Sequence, residues 1–224
     1  MNMKACVAEF IGTFALIFVG VGAIASAAHA DAGLVSIALA HGFTIAVMVS
    51  ATAAVSGGHL NPAVTIGALV GGKIDVINGV GYIVSQCLGG VVAALLIKAA
   101  VPADWLAAVS MGTPTLAEGI TVSQGLILEA VLTFFLVFVV FGTGIDPRAP
   151  KCGGLFIGLT VCLDILVGGP ITGAAMNPAR HLGPALLGGG GAGEIWLYWV
   201  GPAIGGIVAG LIYSNVLEDK NASA

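Results

Sequence analysis

The 224-residue chain is 58% hydrophobic and 8% charged, with a mean hydropathy of +1.08, whereas a soluble domain carries about 25% charged residues. That balance excludes an ordinary water-soluble fold and makes a lipid bilayer the surrounding medium. The net charge of −4 comes without any basic run, which argues against nucleic acid as a partner.

Apolar stretches recur at about residues 5–28, 34–56, 79–101, 122–143, 153–169 and 194–217. A hydrocarbon core of about 30 Å takes roughly 20 helical residues to cross, so the pattern predicts an all-α protein with six spans. The first run follows Lys4 and ends at Ala28-His29-Ala30, a superficial match to a signal peptide. It is too long for that, contains Glu9 and returns in mid-chain, so it is read as the first span. Cys6, Cys87, Cys152 and Cys162 show no metal-ligand spacing and are read as free buried thiols. None of the four histidines belongs to a metal constellation, and no nucleophile–base pair or phosphate loop occurs. Neither an enzyme nor a cofactor is expected.

The tripeptide Asn-Pro-Ala occurs twice, at Asn61-Pro62-Ala63 and at Asn177-Pro178-Ala179, the second followed by Arg180. Asn is a good N-cap and Pro suits the first helical position, so each pair predicts a helix start. SGGHLNPAVT at 56–65 is matched by TGAAMNPARH at 172–181, and Glu9 with Thr13 by Glu129 with Thr133. The chain therefore divides into repeats 1–101 and 122–217, joined by a polar stretch, 102–121, that reads as loop. Three spans per repeat invert the second half relative to the first, and such repeats place their sites where the halves meet, near the midplane. The segments from Pro62 to Gly71 and from Pro178 to Leu187 are ten residues each, about 15 Å of helix or half a membrane. They predict re-entrant half-helices that meet N-terminus to N-terminus. Lys4, Lys73, Arg148, Lys151 and Lys220 then share one side, with only Lys98 opposite, so the termini are expected in the cytoplasm.

Each Asn can cap its half-helix through its oxygen and leave its NH₂ to donate to a molecule at the centre. Both half-helices aim about half a positive charge at that point, which repels cations and hydronium. The preceding stretches, with Gly57, Gly58 and His59 in one half and Gly173 and Ala175 in the other, can run extended and present carbonyls to a pore. Glu9 and Glu129 are read as buried scaffold carboxylates that accept from the N–H groups of those loops.

With these residues in place the chain resembles the aquaporin (major intrinsic protein) family over essentially its whole length. The resemblance rests on Glu9, SGGHLNPAVT at 56–65, Gln86, Glu129, NPAR at 177–180 and WLYWVGP at 196–202. It implies an aquaporin-like right-handed bundle of six spans and two half-helices, a homotetramer with one pore per protomer, and passive water conduction. It also implies a filter at positions that spacing assigns to His41, Ile165, Ala174 and Arg180. That set is similar to the filter of plant vacuolar (tonoplast-type) aquaporins. It differs from the Phe, His, Thr or Cys, Arg set of strict water channels and lacks the Trp and Phe of glycerol facilitators. A wider pore passing ammonia or small polyols is therefore the alternative reading. A secondary transporter using Glu9 and Glu129, or an adhesive protein with a vestigial pore, are the rivals from other classes. His181 fits neither the water nor the glycerol pattern and leaves the solute range open, and Asp164, next to Ile165, is a further departure that is read as facing a neighbouring helix or the protomer interface. The Asn221-Ala222-Ser223 sequon falls on the cytoplasmic tail and is read as chance.

Overall fold

The computed structural model describes residues 1–188 and 190–219; Lys220 and the Asn221-Ala222-Ser223 sequon lie outside the described residues. Among the described residues the fold is helical throughout, with α1 Met3–Ala30, α2 Gly33–Ser56, α3 Pro62–Val70, α4 Val76–Ala100, α5 Ala103–Ala108, α6 Val122–Val140, α7 Gly153–Thr172, α8 Pro178–Leu186 and α9 Ile195–Ile212. Six of these, with their terminal turns, are long and apolar enough to cross a membrane. The last turns of α6 and α9 widen into π-helical segments, Phe141–Ile145 and Tyr213–Leu217.

The ends of the helices follow from local chemistry. Asn2 caps α1 by accepting from Ala5 N–H at 3.3 Å, and Asp75 caps α4 by accepting from Asn78 N–H at 3.0 Å. Thr121 and Gln124 form a reciprocal capping box at the start of α6, satisfying two backbone donors that a helix start leaves open. The joint between the halves is not all loop: α5 and a 3₁₀ turn, Ser110–Gly112, lie within it. Six residues are too few for a helical hydrophobic period to declare itself.

Helix α1 packs on α4 and α2, α6 packs on α9 and α7, and α2 packs on α7. The close approaches use glycine. A Cβ on Gly154 or Gly158 would strike the backbone of α2 at Ala46 and Gly42. The short helices α3 and α8 are held by matching contacts. A Cβ on Gly206 of α9 would lie 2.5 Å from the Ala63 carbonyl oxygen, and one on Gly90 of α4 would lie 2.6 Å from that of Ala179. Large apolar side chains such as Val47, Leu88, Ile127 and Leu163 cover the outside, the arrangement suited to lipid, which needs no polar cover. Of the four thiols, Cys6 and Cys162 are buried as expected, but Cys87 is only half-buried and Cys152 is exposed. Cys152 occupies the N-cap position of α7, just ahead of the span.

The two ends of the bundle differ. At the end carrying the termini, Lys73 pairs with Glu218, and Arg148 donates to Asp146 and to the Leu217 carbonyl, the latter at 3.0 Å. At the other end, Lys98 donates to the Leu187 carbonyl at 3.0 Å, and His29 stacks on Trp105 with centroids 3.7 Å apart. His29, in the last turn of α1, is exposed and has this aromatic partner.

Candidate functional site

The nine-residue helices α3 and α8 reach about 14 Å each and start from opposite halves of the chain. Asn61 Oδ1 accepts from Ala63 N–H at 2.8 Å; Asn177 Oδ1 accepts from Ala179 and Arg180 N–H at 3.0 and 3.3 Å. Pro62 and Pro178 follow at the first helical position. The Asn NH₂ groups are not left wholly free. Asn61 Nδ2 donates to the Met176 carbonyl at 2.8 Å, and Asn177 Nδ2 donates to the Leu60 carbonyl at 3.0 Å. Each Asn thus ties its half-helix to the other half's loop, and one N–H per amide remains. Both residues line one enclosed cavity along the bundle.

The loops before these helices are coiled rather than extended. Gly57, Gly58 and Leu60 have φ of 87°, 64° and 54°, and Gly173, Ala174 and Met176 have 80°, 43° and 50°. Left-handed backbone is costly for residues with a Cβ, so the loops need an external hold. Glu9 supplies it in the first half, accepting from Ser56 Oγ at 2.6 Å, His59 N–H at 2.9 Å, Leu60 N–H at 2.5 Å and Gln86 Nε2 at 2.7 Å. Glu129 does so in the second, accepting from Thr172 Oγ1 at 2.7 Å, Ala175 N–H at 2.9 Å and Met176 N–H at 2.7 Å. With the N–H groups turned to the carboxylates, the carbonyls of Leu60 and Met176 face the Asn pair.

His41, Ile165, Ala174 and Arg180 come together at one end of the cavity. All four line it, and His41, Ile165 and Arg180 also line the outer recess with Gly112, Thr113 and Gly173. Gly58, His59 and Ala175 line the cavity too, whereas Gly57 lies with His59 in the vestibule at the end carrying the termini. Recess, cavity and vestibule therefore follow one another along the bundle, with His41, Ile165 and Arg180 at one junction and His59, Val140 and Ile157 at the other. One wall carries the polar groups and the rest is apolar, with Ile45, Val64, Val140, Ile157 and Val161.

Charge and proton positions follow from the partners. Arg180 Nη2 donates to the Gly112 carbonyl at 2.8 Å, while Nη1 has no partner among the described residues. His41 Nδ1 sits 2.8 Å from the Ile37 carbonyl, so the neutral ring carries its proton there and leaves Nε2 as an acceptor. Thr65 Oγ1 donates to the Asn61 carbonyl at 3.1 Å and accepts from Gln86 Nε2 at 3.0 Å. It is therefore an acceptor for His59 Nδ1 at 3.1 Å, which again leaves Nε2 unprotonated. Asp164 is buried on α7 with Oδ2 unpartnered among the described residues, and it does not line the cavity.

The major intrinsic protein family model matches residues 1–213. The chain belongs to the major intrinsic protein family. The Arabidopsis thaliana protein named probable aquaporin TIP2-2 is 43% identical over 233 residues, covering 100% of this chain and 91% of its own length. A probable aquaporin TIP-type from Antirrhinum majus is 45% identical over 231 residues, covering 99% and 90%. The X-ray structure of the aquaglyceroporin from Plasmodium falciparum matches with a TM-score of 0.83 at 25% identity, over 97% of each chain. This member of a channel family thus has the aquaporin fold.

Two features of the site of this major intrinsic protein escape sequence reasoning. Gly112 acts through its backbone, from a turn in which Ser110, Met111 and Gly112 all have positive φ. Gly20 makes room for His41: a Cβ there would lie 2.4 Å from His41 Nε2. Glycines in α1 give a packing signal at best, and nothing local points either residue at the cavity.

Proposed function

We propose that the chain is a passive water channel that excludes protons and ions, built from two inverted repeats. The observation that carries this reading is the crossed hydrogen bonding of Asn61 and Asn177, which fixes two half-helix N-termini on one point of a largely apolar cavity. A water oxygen there accepts from the two remaining amide N–H groups, so its hydrogens point along the path rather than to a neighbour's proton. The half-helix dipoles and the Arg180 charge oppose any cation. In this reading His41, Ile165, Ala174 and Arg180 form the selectivity filter. The protein works as a homotetramer in a lipid bilayer, integral to the cell membrane with both termini cytoplasmic.

A second reading, passage of ammonia or small polyols beside water, draws on the small Ala174 and apolar Ile165 side chains at the constriction. Stopped-flow light scattering on proteoliposomes separates the two. Fast osmotic shrinkage with low activation energy, and no swelling in glycerol or in an ammonium gradient, is the outcome for a strict water channel. Solute entry beside water supports the wider pore, and no flux of either kind removes both.

A further inference from the structure

We propose that His181 is an acid-sensitive positioning residue: its protonation displaces the 110–116 loop that holds Arg180 and lowers water flux. This rests on the channel reading above. His181 follows Arg180 in the first turn of α8, yet it does not line the cavity and is fully buried. Its ring stacks on Tyr198, with centroids 4.2 Å apart and planes at 16°. Neither ring nitrogen has a partner among the described residues, an uncommon state for buried polar atoms. The space over Nε2 comes from Gly191, at φ +72°, where a Cβ would lie 3.3 Å from that nitrogen and 3.2 Å from the methyls of Thr113 and Thr115. The imidazole is thus sealed beneath the loop whose Gly112 carbonyl accepts from Arg180.

The charged groups around the ring offer it no free anion. Arg180 is its neighbour on α8. Tyr198 of α9 is spent on the Thr172 carbonyl. Glu194, before α9, accepts from Leu116 N–H, and Glu129 of α6 is occupied by the 172–176 loop. Glu9 of α1 holds the 56–60 loop, and Lys98 of α4 is a cation bound to Leu187; α3 carries no charged side chain. A proton on His181 therefore creates a second cation beside Arg180 where screening is weak, with two N–H donors and, of backbone acceptors, the Pro114 carbonyl for only one of them. Both are relieved if the ring pushes outward, and the 110–116 loop lies in its way. Loss of the Gly112 carbonyl leaves the guanidinium with no wall acceptor, and the open side available to it is the cavity.

Stopped-flow water permeability, with equal pH inside and outside the vesicles, tests this whatever the orientation of the protein. The scan runs from about pH 7.5 to about pH 3, from above the ordinary histidine value of about 6.5 to far enough below it to protonate a buried ring. Wild-type permeability is expected to fall reversibly, to about half once half of the molecules are protonated, while His181→Gln and His181→Ser give flat profiles. A flat wild-type profile, or variants that keep the wild-type response, overturns the proposal. Absence of flux from the wild type at neutral pH instead brings down the channel reading. If neither variant is recovered folded, amide exchange of residues 110–116 in the wild type, referenced to residues 56–60, decides. Acid must raise it, and no rise overturns the proposal.

Discussion

The two halves of the molecule build the same backbone and line it with different chemistry. Glu9 and Glu129 hold matching loops, Tyr82 and Tyr198 donate to the equivalent carbonyls of Ser56 and Thr172 at 2.9 and 2.6 Å, and Gly90 and Gly206 receive the two short helices. Yet 116 residues after Val64 stands Arg180, after Thr65 stands His181, after His59 stands Ala175, and after Gln86 stands Pro202. The first half therefore joins Glu9, Gln86, Thr65 and His59 in one hydrogen-bonded cluster. The second half instead places a guanidinium held through Nη2 by the Gly112 carbonyl beside an imidazole with no hydrogen-bond partner among the described residues. Positions that agree satisfy backbone groups that lipid cannot. Positions that differ place Arg180 at one end of the cavity and the His59 cluster at the other.

The largest expected effect comes from removing a shared element. Glu9→Ala removes the acceptor of four donors and Glu129→Ala that of three, and only the Ser56 and Thr172 hydroxyls can turn to a second acceptor, the Thr52 and Gly168 carbonyls at 3.5 Å. Each orphaned buried donor costs about 1–3 kcal/mol, against a total stability of about 5–15 kcal/mol. Neither variant is expected to be recovered as folded protein in detergent, and Glu9→Ala is the worse of the two. Size-exclusion profiles and thermal unfolding check this; two stable alanine variants would contradict the scaffold role. Glu9→Gln keeps an acceptor oxygen, and normal flux in that variant would also dispose of proton-coupled transport through Glu9.

The next effect is on selectivity, not stability. Arg180→Val copies the first-half residue Val64 into the second half and makes the two ends alike. Protons or small cations should then leak through vesicles containing a pH-sensitive dye, while water flux stays within a few-fold of wild type. An unchanged barrier would assign charge exclusion to the half-helix dipoles alone.

How far these contrasts are legible in the sequence depends on whether they are local. The short helices end within one residue of the spans predicted from Pro62 and Pro178, because caps and proline are local signals. The two Glu partners are equally legible, since a buried carboxylate beside an irregular loop has few other roles. The crossed Asn amides are not, because they depend on how the halves dock. Nor is the left-handed coiling of Leu60, Ala174 and Met176, which local propensity opposes and the carboxylates enforce. The surroundings of His181 depend on Tyr198 and Gly191, which only the folded chain brings beside it.

A smaller change separates His41 from its support. Gly20→Ala places a methyl 2.4 Å from His41 Nε2, so the ring must shift. Water flux should fall several-fold with little loss of thermal stability. Gly22→Ala, on the same helix, has its nearest neighbour at 3.5 Å, the Ile97 methyl, and serves as the neutral control. Equal flux from both would place the constriction away from His41.

The smallest effect concerns the ends of α6 and α9, which are joined by charge. Asp146 accepts from Arg148 Nε at 2.9 Å and from Tyr213 Oη at 3.0 Å, while Arg148 Nη2 reaches the Leu217 carbonyl. The Arg148 hydrogen bonds, then Tyr213, hold the Asp146 carboxyl well below the usual carboxylate range. A depressed carboxyl contributes stability that is fully present above its unfolded value of about 4 and is lost as pH falls through the lower folded value. Amide exchange of residues 146–152, corrected for its intrinsic pH dependence, should therefore stay constant from neutrality down to about pH 4 and rise only in stronger acid. Asp146→Asn should show the raised exchange at every pH, because an amide cannot replace the charge that Arg148 pairs with. Water flux at neutral pH should change little in that variant, since the vestibule Asp146 lines lies beyond the constriction. A large loss of flux would instead make this junction limiting, and the contrast between the Arg180 end of the cavity and the vestibule end would no longer hold.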